Sequence, residues 1–308
     1  MWLGVAGVVV ASALLMSVVL PASGADRQHV APSSGTPAVS VSPGISVWAH
    51  RVLVNSRRPT AEGVEGAITP LPIDADADYQ LGGASPVPPG VAVVARDWTE
   101  NPAGDYAICY LNAFQTQPGE LAWWRRKHPD LLLRHGGRLV ADPHWPGEVL
   151  LDIRTDARRR ALVAIFAPIL RICAEKGFDA VEPDNVDSWV RSRGRISQRD
   201  ALAFSRGIVR VGHSSGLAVA QKNAAALLPR RASVGWDFAV VEECHVYREC
   251  RRFLRAYDDA VVEIEYDDAG GLSNFRAACR SHGSSIAIVY RDRNLAPRGR
   301  PGYVYDSC

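Results

Sequence analysis

The side chains with most chemistry to offer cluster in Gly177–Trp189, GFDAVEPDNVDSW, which sets four carboxylates and an asparagine behind a short apolar run. Strand alternation would put Glu182 and Asp184 on one face and Val181 on the other. Pro183 donates no ladder hydrogen bond and suits a strand end. Two further runs end in polar groups: LAVAQKN (217–223) in Lys222 and Asn223, and FAVVEEC (238–244) in Glu242 and Glu243. Carboxyl groups on different strands meet the requirement of glycosidic cleavage, in which one protonates the departing oxygen and another attacks or activates water. Tyr79, Tyr110, Trp145, Trp189 and Tyr266 fall near expected loop tips and offer aromatic faces for pyranose rings.

Positioning these groups requires a scaffold with many strand ends. Eight strand-length apolar runs recur, at 91–98, 107–114, 148–154, 178–185, 217–223, 238–244, 261–266 and 285–292. Helical periodicity fills several gaps, over Asp156–Lys176, Gln198–Ser214, Tyr247–Tyr257 and Ser273–His282, with glycines close behind. The alternation predicts an α/β fold, a single (β/α)8 TIM barrel over 73–308, rather than an open doubly wound sheet. The active face of such a barrel lies at the C-terminal strand ends. There the sequence places Asp97, Tyr110, Asn112, Asp152, Arg154, Glu182, Asp184, Asn185, Lys222, Asn223, Glu242, Glu265, Arg291 and Asp292. Any one has a structural reading, such as an Asp152–Arg154 surface pair, an Asp187 helix cap or a solvated Lys222 tip. Carboxylates gathered in a barrel mouth are costly unless paired or used, so their recurrence points to a site.

The chain has 308 residues, with 35 basic and 33 acidic side chains and a net charge of +2, so no global field attracts nucleic acid or anionic lipid. No GxGxxG, P-loop, CxxC or His-rich cluster suggests a nucleotide, a metal or another cofactor. Residues 1–25 contain no charged side chain and resemble a cleaved export signal, with an uncleaved N-terminal anchor as the competing reading. Residues 26–72 read as a Pro/Ser-rich linker. Six cysteines suit a secreted chain. Cys244 with Cys250, and Cys279 with Cys308, are the expected disulfides, whereas Cys109 and Cys173 read as buried, inert thiols.

Seven segments in order, DYQLGG, ICYLNAF, PGEVLLDIR, GFDAVEPDNVDSW, HSSGLAVAQKN, FAVVEECHVYREC and VVEIEY, resemble the motif set of glycoside hydrolase family 114 across about residues 73–308. The resemblance implies a TIM-barrel endo-α-1,4-polygalactosaminidase acting on a galactosamine-containing polysaccharide. Carried onto this chain, it makes Asp184 and Glu242 the catalytic pair. Glu243 stands where the family has Gln, and either glutamate could act; alternation separates their faces and favours Glu242. Analogy with barrels bearing a nucleophile on strand four and an acid/base on strand six implies that Asp184 attacks, Glu242 protonates and configuration is retained. The matched motifs also imply substrate contacts at Asp97, Tyr110, Asp152, Asn185, Asp187, Lys222, Asn223, Glu265 and Tyr266. Hydrolysis of another α-linked polymer, glycan binding without turnover and a purely structural role are the competing readings. A monomer is the default expectation.

Overall fold

Short apolar runs separated by Gly- and Pro-containing turns favour parallel strands linked by helices, and eight such strands form one curved sheet in the computed structural model, which describes residues 67–73 and 75–308. They are β1 (Ala77–Gln80), β2 (Val93–Asp97), β3 (Tyr106–Asn112), β4 (Ala180–Asp184), β5 (Ala218–Lys222), β6 (Phe238–Glu242), β7 (Val261–Tyr266) and β8 (Ala287–Arg291). Every neighbour from β1 to β8 pairs in parallel. A last strand, β9 (Tyr305–Ser307), joins β8 antiparallel. The helices are α1 (Leu121–Lys127), α2 (Asp156–Lys176), α3 (Gln198–Ser214), α4 (Arg231–Val234), α5 (Cys250–Tyr257) and α6 (Gly271–His282). The architecture is the expected TIM-type α/β barrel, nearly closed.

Side chains close the remaining seam. The buried Arg291 guanidinium donates to Asp78 Oδ1 at 2.8 Å and to the Tyr79 carbonyl, and Tyr305 OH donates to the Ala77 carbonyl at 3.2 Å. Inside the barrel, Ala95, Ala180, Ala218, Ala220 and Ala287 interleave with Tyr79, Tyr106, Phe238 and Tyr266. Small residues facing large ones let a narrow barrel fill without voids. Outward residues such as Cys109, Val181, Val219, Val241 and Ile288 pack in the second core beneath the helices.

Local capping fixes the longest helices. Thr155 accepts from the Arg158 N–H at the start of α2, and Gly177 ends that helix at φ 96°, a conformation that favours glycine. Ser197 and Asp200 form a reciprocal capping box on α3. Both helices have the bounds expected from sequence, while α5 begins three residues later and α6 two residues earlier.

Two strand assignments change. The run at 148–154 is not a barrel strand: Val149, Leu150 and Leu151 make single antiparallel bridges to Ala141, Gln115 and Leu132. Its continuous burial mimics a two-face-buried parallel strand. The true first strand, β1, contains Asp78 and Gln80, which interrupt the apolar pattern and are satisfied by Arg291 and Arg96. One run is lost before β4 and one strand gained, so Asp184 remains on the fourth strand and Glu242 on the sixth.

The linker reading also yields at its end, since Leu71 packs in the inner core and the Thr69 carbonyl accepts from Tyr106 OH. The signal or anchor at 1–25 and most of the linker lie outside the described residues. Among the described residues no helix is long and apolar enough to cross a membrane.

All six cysteines pair: Cys244–Cys250 and Cys279–Cys308 as expected, and Cys109–Cys173 against the expectation of free thiols. Cys109 faces outward from β3 onto α2, with Cα atoms 6.1 Å apart, a proximity the sequence conceals behind a separation of 64 positions. Replacing both Cys109 and Cys173 with Ser should lower stability by about 4 kcal/mol through loop-closure entropy. Urea unfolding checks this, and a loss below about 1 kcal/mol would remove the bond from the account.

Candidate active site

Lys222 is the centre of the constellation. Alternation on β5 turns it into the barrel, where it is 2% exposed. Its Nζ donates to Glu182 Oε1 at 2.8 Å and to Tyr79 OH at 2.9 Å. The same nitrogen lies 3.4 Å from Asp184 Oδ1 and 3.5 Å from Glu242 Oε2. One ammonium thus faces carboxylates from the strands on either side. Burial works against its charge, but Asp184, Glu182 and Glu242 outweigh burial and raise its pKa well above the ordinary lysine value. Lys222 therefore stays cationic throughout the neutral range.

The three carboxylates occupy two levels. Glu182 is fully buried; burial raises its pKa, while Lys222 opposes that shift. Asp184 and Glu242 lie above it with 18% and 26% of their side chains exposed, within reach of a ligand entering the mouth. Asp184 Oδ2 accepts from Tyr110 OH at 2.8 Å, and Oδ1 accepts from the Asn185 N–H at 2.7 Å. Glu242 Oε1 accepts from Tyr266 OH at 2.6 Å, and Oε2 from Asn223 Nδ2 at 2.9 Å. Burial raises the phenol pKa of Tyr79, Tyr110 and Tyr266, so all three remain proton-bearing donors.

The turns after β4, β5 and β6 repeat one device. Asn185, Asn223 and Glu243, each directly following its strand, adopt φ of 64°, 47° and 58°. A left-handed turn in a non-glycine residue carries strain, and such strain gathers where geometry is functional. Here it folds the Asn185 N–H back onto Asp184 and brings the Asn223 side chain against both the Glu242 carboxylate and its N–H.

Of the adjacent glutamates, Glu242 faces the site. Glu243 pairs with Arg293, which also donates to Asp268 at 2.7 Å and stacks 4.0 Å above the Tyr266 ring. The geometry gives Glu243 a structural partner, whereas Glu242 bonds to Asn223 and Tyr266 within the site.

A polar wall backs Asp184. Asn185 donates to Asn112 at 3.0 Å, Asn112 donates to Glu148 at 2.7 Å, and Arg191 joins Asn185, Asp187 and Asp142. Burial pushes the Glu148 pKa up from 4.5 to about 7. Because the folded value is the higher one, the protonated fold is favoured: this contribution is complete below 4.5 and is lost as pH rises towards 7. Glu148→Gln should remove that part of the decline in Tm between about pH 4.5 and 7. Equal slopes in parent and variant would contradict the assignment.

The residues expected at the site divide clearly. Tyr110, Asp184, Asn185, Lys222, Asn223, Glu242 and Tyr266 converge through the bonds above. Asp187 is reached only through Arg191. Asp97 closes β2 but bonds to Thr99 and Gln117. Asp152, outside the barrel sheet, is held in a fork by Arg154 and contacted by Arg158. Glu265 points away from the barrel interior, accepting from His245 N and Asn274 Nδ2. Sequence reasoning assigned no role to Glu182, although it shares a strand face with Asp184. It treated Tyr79 as a loop-tip aromatic, whereas the ring is buried and its OH donates to Glu182 at 2.6 Å. Glu148, Arg191 and Arg293 carried no sequence signal, because their positions depend on loops folding back over the barrel.

The profile of glycoside-hydrolase family GH114 matches residues 58–308. Among solved structures, Aspergillus fumigatus Ega3 in complex with galactosamine aligns at 22% identity and TM-score 0.62, covering 82% of this chain and all of that one. The glycoside hydrolase domain of Pseudomonas aeruginosa PelA aligns at 18% identity and TM-score 0.49, covering 71% of this chain and 95% of that one. No curated protein matches the chain. With the family profile spanning well over half the sequence, the chain belongs to glycoside-hydrolase family GH114 and is a glycoside hydrolase.

Proposed function

We propose that the protein is an exported, endo-acting hydrolase of α-1,4-linked galactosamine-containing polysaccharide, working with retention through Asp184 and Glu242. The supporting observation is that these two carboxylates, on β4 and β6, flank one ammonium at 3.4 and 3.5 Å. Their facing oxygens can be no farther apart than the sum of those distances. Retaining pairs stand about 5–5.5 Å apart and inverting pairs about 6.5–9.5 Å, so that bound admits the retaining spacing and excludes most of the inverting range.

In this mechanism an Asp184 oxygen attacks the anomeric carbon while protonated Glu242 gives its proton to the departing glycosidic oxygen. Tyr110, Asn185 and Lys222 hold Asp184 in position through its two oxygens. In the second step Glu242 takes a proton from water, which displaces Asp184 from the sugar. Asn223 and Tyr266 orient Glu242 through both half-reactions. Glu182, beneath the pair, anchors Lys222 and takes no direct part.

The galactosamine assignment draws on the family and on the galactosamine bound to Ega3. The partly exposed carboxylates Asp184 and Glu242 suit a substrate bearing ammonium groups. Exposed Trp145 and Tyr247, on loops after β3 and β6, suit an extended chain rather than a chain end. Three disulfides suit export to an oxidising compartment.

Release of reducing ends from deacetylated α-1,4-galactosaminan, with falling viscosity at low conversion, tests both substrate and endo mode. Rising salt should weaken binding of the deacetylated polymer more than of its N-acetylated form. Release from another α-linked polymer alone would reassign the substrate and leave the hydrolase intact.

A further inference from the structure

Outside β7, a cavity of about 690 Å³ opens among the loop after β6, α5 and α6. His245, Arg248, Arg251, Ser281, His282 and Ser285 line it. The side chains of Arg248, Arg251 and His282 make no ion pair or hydrogen bond among the described residues. The His245 and His282 rings are 6.2 Å apart. Burial lowers the His282 pKa, and the neighbouring His245 and Arg251 lower it further.

The acidic groups of the packed elements do not balance this charge. On β7, Glu263 is fully buried; burial, then its hydrogen bond with Glu265, pushes its pKa well up and keeps it neutral. Glu265 is engaged with the His245 N–H and Asn274. Glu249, at the start of α5, pairs with Arg252 at 2.9 Å. Cys250 borders the cavity but is bonded to Cys244, so its sulfur is not free to ligate a metal. Two guanidinium groups in the wall would repel a metal cation as well.

We propose that this flank cavity binds a phosphate or sulfate ester carried on a sugar-sized group. Two guanidinium forks, two imidazoles and two hydroxyls match the several acceptors of a tetrahedral oxyanion. The volume exceeds that of an inorganic anion and falls in the range of small-ligand sites, about 300–1,000 Å³. A bound oxyanion favours the protonated form of His282, so binding strengthens as pH falls. The site is separate from the Asp184–Glu242 centre and does not depend on the substrate assigned to it.

The test follows Tm and the His245 and His282 Cε1–H resonances of the whole chain at constant ionic strength, at about pH 6 and about pH 8. The probes are inorganic phosphate, glucose 6-phosphate, glucuronate and chloride. Both phosphate probes should raise Tm and move both imidazole resonances, more strongly at the lower pH. Arg251→Ala and His282→Gln should each weaken binding at least about tenfold with glycan hydrolysis unchanged, and Arg251→Lys should restore part of it. Tighter binding of glucose 6-phosphate assigns the site to an ester; equal binding assigns it to the oxyanion alone and overturns the sugar-sized part of the proposal. No response in the parent protein, a response equalled by glucuronate or chloride, or one that survives both variants would overturn the site itself.

Discussion

Asp184→Ala should reduce kcat on the order of 10⁴-fold or more while the polymer still binds, since removing a covalent nucleophile removes a step on which the other residues depend. Neighbouring groups cannot take its place. Glu182 lies lower in the barrel, fully buried against Lys222 and Tyr79, and Asp187 is turned to Arg191. Glu242→Ala should cost about 10²–10⁴-fold, the usual contribution of general acid–base catalysis. Azide should restore part of the rate in a variant lacking the acid/base, once the substrate carries a good leaving group. It should release an azide product of opposite anomeric configuration in the variant lacking the nucleophile. Glu243→Ala is the control: Glu243 binds Arg293 rather than the site, so its loss should leave most of the activity. If Glu243→Ala lost as much as Glu242→Ala, the assignment of the acid would be reversed.

Lys222→Met should produce a loss of stability as large as that from removing a disulfide. Its ammonium touches Glu182 and Tyr79 and lies within 3.5 Å of both Asp184 and Glu242, so removing it leaves carboxylates facing one another in a buried space. Breaking a buried pair by deleting one partner typically destabilises by about 3–5 kcal/mol. Adding Glu182→Gln should recover much of that stability, because a neutral amide no longer needs a counter-ion. Activity should not recover with it, since Asp184 and Glu242 still lack the charge between them. Urea unfolding of the single and double variants separates the two effects. A double variant no more stable than the single would show that Lys222 acts on the fold through something other than Glu182.

The barrel was legible because its signal is repetitive. Seven of the eight strands, the bounds of α2 and α3, and the strand numbers of Asp184 and Glu242 follow from apolar runs, caps and glycines. β1 escaped because Asp78 and Gln80 are buried polar residues satisfied by partners distant in sequence, Arg291 and Arg96. The run at 148–154 misled because burial on both sides looks alike in a parallel strand and in an extended segment trapped beneath loops. At the site, alternation correctly separated Glu242 from Glu243. It also placed Glu265 opposite the inward-facing Tyr266, a consequence the motif-based assignment of Glu265 overlooked. The Lys222 hub could not be read from sequence, because its partners come from β1, β4 and β6.

The most direct test is to follow the first-formed product by ¹H NMR during cleavage of deacetylated α-1,4-galactosaminan. The account requires the α-anomer to accumulate first and the β-anomer to grow only through mutarotation, with no cleavage by Asp184→Ala. Initial release of the β-anomer would contradict it, showing that water rather than Asp184 attacks the sugar.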